Sequence, residues 1–177
     1  MNEGLQLVIE AAAFAADKHR KCRRKDVDST PYINHPLSLA KILIAEAGID
    51  DPVVIAAALL HDTIEDTETT EDELRAAFGS EVSQVVAEVT DNKKFSKDTR
   101  KLLQIQHAAH ISNRAKLVKL SDKIANLRDI RILPPQNWDE SRKREYLNWS
   151  SQVVEAARGA SPKLYDIFQA ELAHFKC

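Results

Sequence analysis

The sequence has few of the features that mark secreted, membrane-spanning or disordered proteins. Its two cysteines, Cys22 and Cys177, form no CxxC pair and predict no disulfide framework. Four glycines and six prolines are few for 177 residues, which favours a compact helical protein over a disordered one. No apolar run approaches the roughly 20 residues that span a bilayer. Residues 1–4 lack the basic start and apolar core of a signal peptide. These absences favour a reducing cytoplasm as the protein's location.

The chain also lacks an excess of positive charge. Its formal net charge is −2, whereas a general nucleic-acid-binding domain is usually basic overall. The exception is residues 18–25, which hold six cations. Three interpretations of this cluster are open: a solvated helix C-terminus, a nucleic-acid patch, or, for Arg24 and Lys25, contacts with an anionic ligand. The absence of interleaved aromatic residues argues against the nucleic-acid patch.

Apolar residues recur at helical spacing along most of the chain, which predicts an all-α fold. A central segment, 53–60, is apolar on all sides and should be the buried middle of the domain. The predicted helices span residues 5–21, 37–47, 52–60, 74–78, 80–89, 99–110, 113–130, 140–158 and 162–175. A chain of this length fits one domain, which can bury about 70% of its unfolded surface. With no repeat or second domain evident, we expect residues 1–177 to form a single domain.

The densest group of chemically active side chains follows the apolar run 56–60. His61, Asp62, Glu65 and Asp66 lie within six positions. If the helix continues, His61 and Glu65 share one face at a spacing of four, and so do Asp62 and Asp66. Because charge at the end of a buried run is costly unless a cation neutralises it, we expect a divalent metal ion here.

Two further residues can complete a ligand set for that ion. Considered alone, each of them could have a purely structural role instead of binding a metal. His35 precedes Pro36 and suits a helix cap or a packing position, and Asp122 suits an exposed helix charge balanced by Lys119 or Lys123. Two histidines and two aspartates from separate helical regions nevertheless make a suitable nitrogen and oxygen ligand set for a first-row cation. The four candidate ligands are His35, His61, Asp62 and Asp122.

The order of these residues resembles the metal motif of the HD phosphohydrolase superfamily, which has an all-α fold. Five longer segments point to one family within this superfamily. They are Arg24-Lys25-Asp26, TPYINHP at 30–36, ALLHDTIEDT at 58–67, AKLVKLSDK at 115–123 and Asn126-Leu127-Arg128. Together they are similar to the hydrolase domain of the RelA/SpoT family, and within it to the stand-alone small alarmone hydrolases, including the form found in animals. The insertion of residues 27–29 departs from the bacterial two-domain pattern.

The resemblance implies removal of the 3′-pyrophosphate from guanosine penta- or tetraphosphate, (p)ppGpp, to give GTP or GDP. It also implies one manganese ion on the four ligands and the absence of the family's synthetase activity. The implied catalytic residues are Glu65, Asp66 and Asn126, and the implied substrate-binding residues are Arg24, Lys25, Lys97, Arg142 and Tyr146. Glu65 and Asp66 would act on the attacking water or the departing ribose 3′-oxygen. Arg24 would stack on the base, and the cations would admit a polyanionic substrate.

Two other functions are compatible with the same residues. One is a phosphatase acting on NADPH or another 2′- or 3′-phosphorylated nucleotide. The other is a non-catalytic nucleotide sensor, which predicts a broken motif position, and none is broken. In each case the partner is a small-molecule nucleotide rather than a nucleic acid or a membrane. A homo-oligomer is compatible with the sequence.

Overall fold

The computed structural model describes residues 2–175, and within them it is helical with no β-strand, which confirms the all-α prediction. The helices are α1 (Glu3–Lys18), α2 (Asn34–Lys41), α3 (Pro52–Leu60), α4 (Thr63–Asp66), α5 (Glu71–Val89), α6 (Lys97–Ala108), α7 (Asn113–Ile132), α8 (Glu140–Ala157) and α9 (Pro162–Ala173). A π-helical segment, Ile42–Ala47, continues α2, and a 3₁₀ turn, Arg158–Ala160, joins α8 to α9. Cys22 is a free thiol, and Cys177 lies outside the described residues.

Capping side chains mark where several helices begin. The Asp51 side chain accepts a hydrogen bond from the Val53 N–H, with Pro52 in the first turn of α3. At α5, Thr70 accepts from the Glu73 N–H as in a capping box. The Glu73 carboxylate instead binds the Lys18 ammonium at 2.8 Å. The second half of the box is therefore replaced by a tertiary contact that ties α5 to α1.

Some helix boundaries differ from those predicted. α1 ends at Lys18 instead of residue 21, and α2 begins at Asn34, three residues early. Gly48 ends the π-helical segment with φ 72°, ψ 29°, the left-handed conformation typical of a helix C-terminus. Gly79, with φ 84° and ψ 170°, kinks α5 where the sequence predicted the junction of two helices.

The hydrophobic core forms around α3. All residues from Val54 to Leu60 are buried, because α3 packs against α1, α2, α5 and α7. The other side of α7 packs against α8 and α9. This arrangement brings the C-terminal end of α3, where His61 and Asp62 follow, close to the middle of α7, which carries Asp122. No helix within residues 2–175 combines the length and the apolar character needed to cross a membrane.

Phe168 offers a test of this core. Its ring is fully buried on α9, and it does not line the cleft described below. Phe168→Ala should lower the free energy of unfolding by about 3–5 kcal/mol, because it removes buried contacts and leaves a cavity. Urea denaturation followed by circular dichroism measures this loss. The control is Leu102→Ala, since Leu102 is exposed and should cost about 0.5 kcal/mol or less.

Candidate active site

The chain turns sharply where α3 ends, so the helix does not continue through residues 61–66. Two side chains bind the last carbonyls of α3. The His61 Nδ1–H donates to the Ala58 carbonyl at 2.8 Å, and the Thr63 hydroxyl donates to the Leu60 carbonyl at 2.7 Å. These bonds satisfy carbonyls that a continuing helix would otherwise use. The turn leaves His61 and Asp62 at the buried end of α3, and the chain resumes as α4.

The structure brings the four predicted metal ligands together. Ligand atoms of His35, His61 and Asp62 all lie within 4.8 Å of one another. The His61 Nε2 is 2.8 Å from the Asp62 Oδ2, and the His35 Nε2 is 3.2 Å from the Asp122 Oδ1. Both imidazoles are buried. The four side chains come from α2, the turn after α3, and α7, as expected of a metal site in a helical domain.

The donor atoms fit a divalent cation. The hydrogen bond from His61 Nδ1 to a backbone carbonyl leaves Nε2 as the nitrogen that faces the cluster, which is the usual arrangement of a metal-binding histidine. The His35 Nε2 faces Asp122 in the same way, and its buried Nδ1 has no hydrogen-bond partner in the described structure. Two imidazole nitrogens and two carboxylates suit a first-row divalent ion and balance its charge.

The pKa values of the two imidazoles and of Asp62 show that this cluster needs positive charge. Burial lowers the pKa of His35, so this ring is neutral, the form that binds a metal. Burial also acts to lower the pKa of His61, but the charge of Asp62 and its hydrogen bond outweigh burial and raise that pKa to about 9. Burial acts to raise the pKa of Asp62, and the neighbouring imidazoles lower it well below its usual range. A proton on His61 therefore supplies positive charge that a bound cation could supply instead.

Asp122 is not the exposed helix charge that the sequence left open as an alternative. Its side chain is 17% exposed, and the Lys123 ammonium that binds its Oδ2 at 2.8 Å is 5% exposed. The Asn126 amide donates to the other oxygen, Oδ1, at 2.6 Å. Lys123 also lies over the Trp149 ring, 4.4 Å from its centroid. The sequence named Lys123 as a possible counter-charge for Asp122, but did not predict it as a site residue.

Glu65 and Asp66 are adjacent in sequence but line different cavities. Glu65 lines a small cavity of about 60 Å³ together with His61, Asp62 and Asp122. It accepts hydrogen bonds from the Asp91 N–H at 3.3 Å and from Arg100 at 3.4 Å. Burial raises the pKa of Glu65, and the charges of Asp62 and Asp91 raise it further.

Asp66 instead lines a larger cleft of about 420 Å³ and binds the Lys93 ammonium at 2.8 Å. Its partner Lys93 belongs to the polar loop between α5 and α6. Each carboxylate of the Glu65–Asp66 pair therefore has its own cation, Arg100 for the first and Lys93 for the second.

The larger cleft lies beside the metal ligands. Arg24 reaches into it from the loop after α1 and donates to the Asp129 Oδ2 at 2.6 Å and the Asn126 Oδ1 at 3.1 Å. Its guanidinium also lies over the Tyr32 ring, 5.6 Å from the centroid. The other predicted residues that line this cleft are Lys25, His35, Asp66, Asn126 and Tyr146. Asp129, which holds Arg24, was not predicted.

Arg142 and Lys97 lie farther out. Arg142 lines a neighbouring cavity of about 300 Å³ that shares Arg24, Lys25 and Trp138 with the larger cleft. Its guanidinium is 5.0 Å from the centroid of the Trp138 ring. Lys97 lines neither of these two cavities. Partial burial and the charge of Arg142 lower the pKa of Lys97.

A family profile, two related sequences and a solved structure all agree with the resemblance found in the sequence. The HD domain family profile matches residues 11–148. A Xenopus tropicalis protein named guanosine-3′,5′-bis(diphosphate) 3′-pyrophosphohydrolase MESH1 is 51% identical over 174 residues, which are 98% of this chain and 95% of that protein. The Homo sapiens protein of the same name is 54% identical over 163 residues, covering 92% and 90%. A solved structure described as a metazoan ortholog of SpoT that hydrolyzes ppGpp superposes with a TM-score of 0.93 at 42% identity, covering 96% of each chain.

Proposed function

Because the chain belongs to the HD-domain family and, within it, to the stand-alone hydrolases of the RelA/SpoT type, we propose that it is a guanosine-3′,5′-bis(diphosphate) 3′-pyrophosphohydrolase. It would convert ppGpp or pppGpp to GDP or GTP and pyrophosphate. The observation that carries this proposal is that the four candidate ligands join two cavities. His61, Asp62 and Asp122 line the Glu65 cavity, and His35 lines the cleft that contains cations. We propose that residues 1–177 act as one hydrolase domain in the cytoplasm.

The proposed metal ion is manganese, one per chain. His35, His61, Asp62 and Asp122 would hold it. When bound, such an ion polarises a phosphoryl oxygen and lowers the pKa of a water molecule. The burial of both imidazoles and the two carboxylates beside them support this assignment.

Glu65 and Asp66 would have different roles in the reaction, because they line different cavities. Glu65 shares its cavity with three of the proposed ligands, so we assign it to the attacking water, whose proton its carboxylate would accept. The raised pKa of Glu65, caused by burial and by the charges of Asp62 and Asp91, suits a group that takes and returns a proton. Asp66 and Asn126 line the larger cleft and would hold the ribose beside the departing 3′-oxygen. That oxygen must gain a proton as the water loses one, which leaves a free 3′-hydroxyl and pyrophosphate.

The cations of the cleft would bind the rest of the nucleotide. Arg24 has one face on Tyr32 and its edge on Asp129, so its other face is the one proposed to stack on the base. Lys25 and Tyr146 line the same cleft, and Arg142 adds positive charge in the neighbouring cavity. We propose that Lys97 contributes further positive charge to the binding of the phosphates. This charge offsets the repulsion that Glu65 and Asp66 exert on a polyanionic substrate.

A substrate panel tests the proposal. Purified protein would be incubated with ppGpp, pppGpp, NADPH and a 3′-phosphorylated nucleoside, each with Mn²⁺, Mg²⁺ or chelator, and kcat/KM compared. We expect turnover of ppGpp and pppGpp with Mn²⁺ and none with chelator. Preference for NADPH would favour the phosphatase alternative, and binding of ppGpp without turnover would favour the sensor. Either result would overturn the proposed function.

A further inference from the structure

We propose that Tyr32 is a positioning residue that orients the metal ligand Asp62 and links it to the nucleotide-binding residue Arg24. The inference rests on the proposed function, because that function assigns Asp62 to the metal and Arg24 to the nucleotide. Tyr32 lies between the two: its hydroxyl meets Asp62, and its ring meets Arg24. It therefore connects two parts of the site that lie far apart in sequence.

The hydroxyl of Tyr32 contacts a proposed metal ligand directly. It donates a hydrogen bond to the Asp62 Oδ2, the oxygen that lies 2.8 Å from the His61 Nε2. A hydrogen bond to one oxygen of a carboxylate fixes the plane of the group, and so fixes where the other oxygen points. Outer partners of this kind keep a ligand in its binding orientation, and their loss typically weakens metal affinity about 10–100-fold.

The ring of Tyr32 is held on three sides. The His19 ring packs against it with centroids 4.7 Å apart and planes inclined by 32°. The His35 ring meets it edge-on at 6.0 Å, and the Arg24 guanidinium lies 5.6 Å from its centroid. Each neighbour restricts the rotation of the ring. Because His35 is itself a proposed ligand, Tyr32 touches two of the four ligands, one through its hydroxyl and one through its ring.

The buried ring of His19 packs against the Tyr32 ring and holds it in place. It is 2% exposed at the C-terminal end of α1, and within residues 2–175 neither ring nitrogen has a hydrogen-bond partner. Its visible contribution is therefore the flat surface that it offers to Tyr32. This predicts that an aromatic ring without nitrogens can replace His19, whereas a small side chain cannot.

Isothermal titration of the metal-free protein with Mn²⁺ tests the hydroxyl. Tyr32→Phe keeps the ring and removes only the hydroxyl, so its Kd for Mn²⁺ should rise about 10–100-fold. Its Kd for GDP, measured without metal, should stay at the wild-type value, because the Arg24 contact with the ring remains. The matched control is Tyr165→Phe, which removes a hydroxyl that contacts Glu155 on the surface, and it should bind Mn²⁺ as wild type does.

Wild-type Mn²⁺ affinity in Tyr32→Phe would overturn the role of the hydroxyl, and so would an equal loss in Tyr165→Phe. His19→Ala and His19→Phe test the stacking independently, without altering Tyr32. We expect His19→Ala to weaken Mn²⁺ binding and His19→Phe to restore it; equal affinities in the two variants would overturn the role of the stack.

If wild type binds Mn²⁺ but leaves (p)ppGpp intact, the proposed function fails while the role of Tyr32 stands. If wild type hydrolyses (p)ppGpp and Tyr32→Phe binds Mn²⁺ normally, only the role of Tyr32 fails.

Discussion

Replacing His61 with alanine should abolish hydrolysis of (p)ppGpp, with kcat/KM reduced on the order of 10³-fold or more, since a catalytic metal contributes several kcal/mol to the transition state. The reason is that His61 is buried and presents its Nε2 to Asp62 within the proposed ligand cluster. The variant should also lose Mn²⁺ on dialysis, which elemental analysis measures. Steady-state release of pyrophosphate measures the activity.

The control for this variant is His107→Ala. His107 is exposed on α6, so its loss should change neither Mn²⁺ content nor activity. Circular dichroism verifies that both variants are folded. If His61→Ala retains Mn²⁺ and more than a tenth of wild-type kcat/KM, His61 is not a ligand of the catalytic ion and the proposed ligand set is wrong.

The second large effect is expected at Glu65. Glu65→Gln keeps the size of the side chain, and its one amide oxygen can still accept a hydrogen bond from either Arg100 or the Asp91 N–H, which bind different oxygens of Glu65. The amide cannot act as the base that takes the proton of the water. We expect kcat to fall about 10²–10⁴-fold, the range typical of a lost general base. KM and Mn²⁺ affinity should change little, because Glu65 is assigned to neither the ligand set nor the nucleotide cleft.

The pH profile gives a further signature of the same residue. A general base must be deprotonated, so kcat should fall as pH decreases through the pKa of Glu65. Because burial and the nearby carboxylates raise that pKa, this fall should come at a higher pH than the ordinary glutamate value of about 4.3. Glu68→Gln, which alters an exposed carboxylate three residues on, should keep both the rate and the profile. If Glu65→Gln matches wild type in kcat, the base is another residue.

The sequence predicted the helices well because their signals are local. Asp51 caps α3 next to Pro52, and Gly48 ends the π-helical segment, each acting within a few residues of the boundary that it sets. The order of the four metal ligands was also visible, since each lies in a segment with a recognisable pattern. The end of α3 at residue 60 was predicted, but α4 and the turn before it were not, because the turn depends on the His61 and Thr63 side chains binding the carbonyls of α3.

The unpredicted parts of the site depend on contacts between distant segments. Tyr32 meets Asp62 from 30 positions away, Lys93 meets Asp66 from 27, and Arg100 meets Glu65 from 35. No periodicity in the sequence indicates such pairs, and charge alone does not distinguish a solvated lysine from one that holds a carboxylate. The last two contacts form because Lys93, in the loop between α5 and α6, and Arg100, in α6, both reach side chains of α4.

The assignment of Glu65 and Asp66 to different cavities has a simple geometric origin. Consecutive residues on a helix point about 100° apart, because a turn contains 3.6 residues. On the short helix α4 this rotation turns Glu65 toward the small cavity with Asp62 and Asp122, and Asp66 toward the larger cleft. Adjacent carboxylates can thus serve the water and the ribose separately.

The most direct test of the proposed activity is to identify its products. The protein would be incubated with ppGpp and Mn²⁺, and the reaction followed by ³¹P NMR with the nucleotide products separated by ion exchange. Cleavage of the bond between the ribose 3′-oxygen and phosphorus predicts GDP and pyrophosphate in equal amounts, with neither formed by His61→Ala. Unchanged ppGpp, or release of inorganic phosphate without pyrophosphate, would contradict the proposed function.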